Sequence, residues 1–517
     1  MKKYGIYLAY APEQDIRNQG LGRLLAFIIS GAIKNKTSLV LAYPKWYESE
    51  IKKLCEDQHI DFNEIDTITT SGVPLLIRIK HRIEQFGKRK KRNFGIFKSL
   101  FEHGSKIIGK IGIQWLSMSN LPLFLMSALV LLGVFLAASP VLLMFGVFYT
   151  LFMITKRVAV KLMSIKAFRL LTSPVKSFRR NIFAHNVFDS LRSQELERLN
   201  KKINKRNDIS AWLVPTLFWP EISSIKAKKI VVAPDIILYD FPTGFNNSFF
   251  ARTNQKLIQT IGVADHFITY STYVKEKHLQ KPFNIQDDKI TVVTHGASDL
   301  SNYLAKEDSL SILKKYQQRK LSNNPYLANF DLENMRYIFY SSQVRPHKNF
   351  LNLIKAYKKV LREKYVNVKL ITTADLNHAP EVYDYILKHR LQNDVLSFYN
   401  VPSKVLAALN ARAICAVNPT LFEGGFPFTF LEAYTVGTPS IMGDIPMTTE
   451  QISDEELQKT MLFDPFSVDD MVDKIEWGIR NSEKLFELQN KLYIQMKQRT
   501  WADAASDYIK VLDDVSK

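Results

Sequence analysis

The sequence predicts an α/β protein of two doubly wound domains, the first interrupted by a basic, membrane-seeking insertion. Three observations predict it. Strand-length apolar runs alternate with helical stretches over most of the chain, the pattern of a parallel sheet covered by helices on both faces. That alternation breaks once, between Lys88 and Arg180. The chain is also long, at 517 residues, and 46% hydrophobic, enough to fill two or three cores and too much for one.

The elements follow in order. Tyr4–Tyr10 reads as a strand, Gly20–Lys34 as an amphipathic helix behind a Gly-Leu-Gly turn, Ser38–Tyr43 as a second strand and Trp46–Asp57 as a second helix. After the insertion, Val187–Asn204 reads as a polar helix. Strands are expected at Ala211–Thr216, Lys229–Ala233, His266–Tyr270 and Ile290–Val293, with a helix at Ala251–Val263. Leu310–Lys320 is a polar helix and Ser322–Asn329 a linker. Beyond Arg336 the alternation is regular, with strands at Tyr337–Ser341, Val368–Thr373, Val395–Tyr399, Ala413–Asn418 and Pro439–Met442. The expected organisation is an N-terminal domain of residues 1–87 and 181–320, an insertion at 88–180, a C-terminal domain at 321–500 and a final helix at 501–517.

The formal net charge is +20, and most of it is local. Lys88 to Arg180 holds sixteen Lys or Arg against one acid, Glu102, and so carries +15. Within it, Ile111 to Thr155 has no charged residue. A soluble buried helix rarely runs so long without charge, whereas about 20 apolar residues span a bilayer. Ser139-Pro140 is a plausible turn, so residues 111–155 are expected to form a membrane hairpin, spanning or re-entrant. Basic flanks on both sides place both ends on the cytoplasmic face and favour anionic lipid. Nucleic acid would explain the flanks but not the uncharged stretch between them. The two cysteines, Cys55 and Cys415, form no metal spacing or disulfide framework and favour a reducing compartment. The N-terminus lacks the uninterrupted apolar core of a signal peptide.

Two segments carry the chemistry. Leu421 to Glu450 (LFEGGFPFTFLEAYTVGTPSIMGDIPMTTE) places Gly424, Gly425 and Phe426 between a strand and a helix. Free backbone N–H groups at such a helix start suit a diphosphate, and glycine lets a ligand come close. Glu423 precedes this loop and Glu432 lies in the helix after it. Both carboxylates can accept hydrogen bonds from sugar hydroxyls. Tyr337 to Tyr357 (YIFYSSQVRPHKNFLNLIKAY) puts Arg345 and Lys348 at a strand's C-terminal end, where ligands bind in open α/β sheets. Two cations there can neutralise charge growing on a departing diphosphate.

Together these segments resemble the donor-site motifs of retaining glycosyltransferases of family 4, which have the GT-B fold. The family's paired glutamates stand eight positions apart and Glu423 and Glu432 stand nine, so the extra residue falls within Gly424–Leu431. Gly20 and Gly22 resemble the family's N-terminal glycine loop. Asp235 matches the Asp of a His-Asp pair, with Pro234 in place of the histidine. Asp240 is an alternative cleft residue. His347 stands where the family often has another basic residue. His295 and His266 read as structural.

The resemblance implies two Rossmann-like domains facing a cleft and metal-independent transfer of a hexose without a cofactor. A UDP- or GDP-sugar is the donor. Arg345, Lys348 and the loop of Gly424, Gly425 and Phe426 hold its diphosphate, Glu432 the ribose and Glu423 the sugar, with Asp235, Gly20 and Gly22 across the cleft. Glu423, Arg345, Lys348 and Asp235 are the expected catalytic set. The hairpin implies a lipid-linked acceptor, with the catalytic domains on the cytosolic side of the inner membrane, as in polysaccharide or lipopolysaccharide synthesis. A catalytically inactive GT-B-fold membrane scaffold is the alternative. A soluble enzyme docked on a partner subunit is a third.

Overall fold

A computed structural model describes residues 3–12, 14, 20–34, 37–57, 60–75, 77–78, 122–130, 133, 189–320, 326 and 330–517. The chain divides into two compact units. One comprises Met1–Arg23, Ser38–Trp212 and Glu221–Ala227; the other comprises Leu24–Thr37, Leu213–Pro220 and Lys228–Lys517.

Seven strands form the first sheet: β1 (Lys3–Tyr7), β2 (Ser38–Tyr43), β3 (Asp66–Thr69), β4 (Ile209–Val214), β5 (Lys228–Ala233), β6 (His266–Thr269) and β7 (Ile290–Val292). Their order is β3-β2-β1-β4-β5-β6-β7. β1 pairs with β2, β2 with β3, β5 with β6 and β6 with β7, all parallel. Glycine in a strand usually marks a close approach. At Gly5 the ring of Trp212 lies where a β-carbon would sit, 2.3 Å from it.

The second sheet lies within the second unit. Its strands are β8 (Tyr337–Tyr340), β9 (Lys369–Thr372), β10 (Val395–Ser397), β11 (Cys415–Asn418), β12 (Ser440–Gly443) and β13 (Leu462–Phe463), in the order β10-β9-β8-β11-β12-β13. Side chains alternate across a strand, and β8 uses the alternation fully. Ile338 and Tyr340 join a core with the helices Phe350–Arg362 and Val468–Arg480. Tyr337 and Phe339 join another core with the helices Ser309–Lys320 and Ser403–Ala411. Both faces are covered, which is why β8 reads as an unbroken apolar run. The last helix, Trp501–Val515, packs on the helix Gly20–Lys34. Trp501 stacks on Phe27 at 4.3 Å, and Ala505 fills the space beside Gly31.

The expected strands are present, most of them shorter than the apolar runs suggest. β1 ends at Tyr7 although burial continues to Tyr10, because Leu8 still donates to the Ala42 carbonyl and the chain then leaves the sheet. Two strands are additional to those expected. β3 is short and partly exposed, and β13 has two residues, too few to show a period. The expected linker at 322–329 falls almost wholly outside the described residues.

The expected hairpin at residues 111–155 also lies outside them, apart from 122–130 and 133, which are helical. There Leu123, Leu125, Met126, Leu129 and Val130 are all exposed. Among the described residues no helix is long and apolar enough to cross a membrane.

Candidate active site

β8 and β11 are neighbours in the second sheet, paired in parallel through Ile338↔Cys415 and Phe339↔Ala416. Their C-terminal ends therefore open side by side. On the far side of β8 lies β9, so the strand order reverses here, where open α/β sheets bind ligands.

After β8 the chain makes a 3-10 turn, Pro346–Lys348, and enters the next helix through Asn349 in the left-handed region at φ 56°. Asparagine tolerates that conformation. Its side-chain amide donates to the carbonyls of Pro419, at 3.0 Å, and Pro465, at 2.6 Å. The His347 carbonyl accepts from the Leu421 N–H at 2.8 Å and the Thr420 hydroxyl at 3.2 Å. Tyr340 Oη donates to the Lys348 carbonyl at 3.0 Å. The turn is thus bolted to the segment after β11. The result is an ion pair between Lys348 Nζ and Glu423 Oε1, with side chains 16% and 22% exposed.

Arg345 is exposed at the start of the same turn. His347 departs from the expectation of a further basic residue. It is buried, and burial, reinforced by Lys348 and Arg345, pushes its pKa down to about 3. At neutral pH it adds no charge, and among the described residues its Nδ1 has no hydrogen-bond partner.

The loop after Glu423 meets the chain that follows β5 and β6. A β-carbon on Gly424 would lie 2.1 Å from the Pro234 carbonyl oxygen, and one on Gly425 would lie 3.1 Å from Tyr270 Cβ. Neither glycine has a positive φ. What demands glycine at these positions is protein backbone and side chain pressed against them. Ser271 Oγ donates to the Gly424 carbonyl at 2.9 Å. The helix Phe428–Tyr434 then starts behind Pro427, with no side chain capping it. Phe426 packs edge-on to Phe430 at 5.8 Å. Glu432, in that helix, is 4% exposed.

Asp235 is half-buried after β5, and one of its oxygens accepts from the Ile237 N–H at 3.4 Å. Burial raises its pKa. The Ile237 N–H and Arg345 oppose the rise and Glu423 adds to it. The carboxyl therefore feels both members of the Lys348 turn and donor loop. Gly20 and Gly22 open the helix Gly20–Lys34 as expected, while Gln19 before them lies outside the described residues.

His295 is enclosed by Tyr270 at 4.1 Å, Phe428 at 4.5 Å and Trp501 at 5.7 Å, and burial pushes its pKa down to about 3. His266 shares a hydrogen bond with Thr291 Oγ1 at 2.8 Å. A cavity of about 160 Å³ lies beside the loop, lined by Tyr270, His295, Phe426, Phe428, Glu450 and Arg499 among others. Lys348 and Glu423 do not line it. Among the described residues no group of three His, Cys, Asp or Glu side chains could hold a metal ion.

Sequence reasoning did not single out Ser271, Asn349 or His278. Each acts through contacts with residues distant in sequence, and of the three only Asn349 lies inside a segment whose pattern points to chemistry.

Residues 328–499 match the family model described as Glycosyl transferases group 1. The chain carries a glycosyl transferases group 1 domain. It is a transferase of glycosyl groups. An Escherichia coli protein, O-antigen chain mannosyltransferase B, is 22% identical over 278 residues, covering 53% of this chain and 67% of that one. Among solved structures, the N-terminal domain of Candida albicans trehalose-6-phosphate phosphatase is similar with a TM-score of 0.57 and 12% identity, covering 100% of this chain and 97% of that one. Anabaena HepE in complex with UDP and glucose is similar with a TM-score of 0.54 and 12% identity, covering 99% and 100%. At such identities the likeness speaks for the fold, GT-B-like with two parallel sheets. Lys348, Glu423 and Glu432 all fall inside the group 1 domain.

The ion pair makes a prediction here. With Glu423→Gln, Lys348 is released and one negative charge is removed from the ground a diphosphate would occupy. A nucleoside diphosphate should then bind several-fold more tightly in calorimetry while transfer falls, since about 1.4 kcal/mol of removed repulsion is tenfold in affinity. Weaker binding by Glu423→Gln would show that the carboxylate supports the diphosphate rather than competing with it.

Proposed function

We propose that this protein is a membrane-attached, retaining glycosyltransferase that moves a hexosyl group from a UDP- or GDP-sugar to a lipid-linked glycan acceptor on the cytosolic face of the inner membrane. The product would enter cell-surface polysaccharide or lipopolysaccharide. The observation that carries this reading is the meeting of Lys348 with Glu423 at the paired ends of β8 and β11. It sets a cation for phosphate beside a carboxylate for sugar hydroxyls.

Lys348, Arg345 and the N–H groups of Gly424, Gly425 and Phe426 hold the diphosphate. Glu432 holds the ribose, and Glu423 orients the sugar once the donor has taken Lys348 from it. Asp235 faces the sugar and acceptor. In the step itself, the bond from the anomeric carbon to the β-phosphate oxygen breaks and its electron pair leaves with the diphosphate. The acceptor oxygen bonds to the same face of that carbon, and its proton passes to the departing phosphate. No enzymic nucleophile and no metal is required. The cations act on charge that grows only as the bond breaks, so they lower the barrier more than they tighten the ground state.

Three observations support the finer points. The Escherichia coli relative is named as a mannosyltransferase of the O-antigen chain, a glycan. The Anabaena structure was solved with UDP and glucose. The helical residues 122–130 turn five large apolar side chains outward, within the most basic stretch of the chain, which suits a lipid surface.

Membrane fractions containing the full chain, given labelled UDP- and GDP-hexoses with EDTA present, should transfer label to a lipid extract, and the new linkage should keep the donor's anomeric configuration. An inverted product sinks the retaining mechanism. A metal requirement sinks the cofactor expectation. Recovery of the full chain in the soluble fraction sinks membrane attachment. Nucleotide binding with neither transfer nor hydrolysis, over a broad panel of donors and acceptors, establishes the scaffold instead.

A further inference from the structure

The segment after β6 links the two loops that meet at the site. Ser271 accepts the Val274 N–H at 3.3 Å and donates to the Gly424 carbonyl. A π-helical stretch follows, Val274–Gln280, a conformation often found at functional sites. It carries His278, which is 1% exposed. His278 Nδ1 accepts the Ile236 N–H at 2.8 Å. Nδ1 is therefore unprotonated, and the proton sits on Nε2, which donates to Asp240 Oδ2 at 2.8 Å. The ring also lies 5.3 Å from Phe422, the residue before Glu423. Val274, Phe422, Ile445 and Met447 form a small buried core there, with Ile237, Phe241 and Tyr273 packed on it.

His278 thus has one hydrogen bond on each side of the Ile236–Asp240 turn and a face on the donor loop. Ile236 is the residue directly after Asp235. Its N–H points into protein, and with no acceptor it would be a buried unpaired donor. We propose that His278 is a positioning residue. Its Nδ1 fixes the Asp235–Ile236 peptide against the Phe422–Gly424 strip, so that Asp235 stands at a set distance from Glu423 and the sugar it orients. His278 itself touches no substrate. This rests on the proposed transferase reading of Asp235 and Glu423.

Two isosteric halves of histidine separate positioning from packing. His278→Asn keeps an acceptor where Nδ1 stands and loses the Asp240 bond and much of the ring. His278→Gln fills more of the ring's space and reaches Asp240, but offers Ile236 no acceptor. Positioning ranks Asn above Gln in kcat; packing ranks Gln above Asn. The expected result, per folded protein in the full chain, is a kcat loss of about tenfold or more in His278→Gln, since misplacement near 1 Å costs up to about a hundredfold. Donor KM should change less than kcat, within about twofold, because Arg345 and Lys348, which hold the diphosphate, are unmoved. His278→Asn should keep kcat within about threefold of the parent while losing more Tm than Gln does. Equal kcat in the two variants, Gln above Asn, or a loss confined to donor KM would overturn the proposal. Amide exchange at Ile236 gives a readout without turnover. It should stay slow in the parent and in Asn and become fast in Gln; slow exchange in Gln also overturns it. A parent chain that transfers nothing under any donor defeats the transferase reading, a failure visible before any His278 variant is made.

Discussion

Lys348→Ala should lower transfer by roughly a hundred- to a thousandfold, the usual loss when one preorganised charge-stabilising donor is removed from a site. Lys348 is held on three sides: its carbonyl by Tyr340, the turn before it by Thr420 and Leu421, and the residue after it by the carbonyls of Pro419 and Pro465. A cation so fixed needs no reorganisation when a diphosphate departs. The same change leaves the Glu423 carboxylate, four-fifths buried, without its partner. Folded stability should drop as well, by about 1–3 kcal/mol, less than for a fully buried pair because water reaches both ends. Lys348→Met keeps the stem and should show the same kinetic loss. Single-turnover rates and nucleotide affinity separate the two effects. Unchanged turnover in both variants would remove Lys348 from the site.

Gly424→Ala is the second large effect, and it acts by geometry. The new methyl would sit 2.1 Å from the Pro234 oxygen and 3.0 Å from its carbonyl carbon, both backbone atoms that cannot rotate away. The donor loop and the Pro234–Asp235 segment must separate, which also strains the Ser271 bond to the Gly424 carbonyl. A shift near 1 Å at the reacting groups should cost about a hundredfold in kcat/KM. Gly437→Ala is the control. Gly437 has φ 93° and open space around it, so alanine there meets backbone strain without a clash. It should cost about 1–2 kcal/mol of stability and leave kcat unchanged. Equal kinetic losses in the two variants would mean that the Gly424 contact is not what places the loop.

Much of the molecule was legible before folding. β8 reads directly from YIFY because both of its faces are covered, so every residue is apolar. The Gly20–Lys34 helix reads from its period and its Gly-Leu-Gly entry. The Glu423–Glu432 and Arg345–Lys348 segments read as chemistry because each places its glycines, charges and helix start within a few residues. Local patterns of this kind are written in local sequence. Short edge strands such as β3 and β13 were not legible, because two to four residues carry too little period. His347 illustrates a different limit. Its residue type suggested a cation, and only its burial makes it neutral.

The glycine loop after Glu423 and the basic turn at Arg345 and Lys348 can each be read from local pattern at the end of a buried parallel strand. That they touch is a property of the fold alone. β8 ends at Tyr340 and β11 begins at Cys415, 75 positions later, and nothing in either segment names the other as its sheet neighbour. The pairing of Ile338 with Cys415 does, and it brings Lys348 onto Glu423. The same holds for His278, a lone histidine in YVKEKHLQKPF with no signature at all. Its meaning comes from the Ile236 N–H on one side and Asp240 on the other. Parallel sheets place strand ends together by long crossover connections, so the contacts that build a site are set by topology, which no local spacing records.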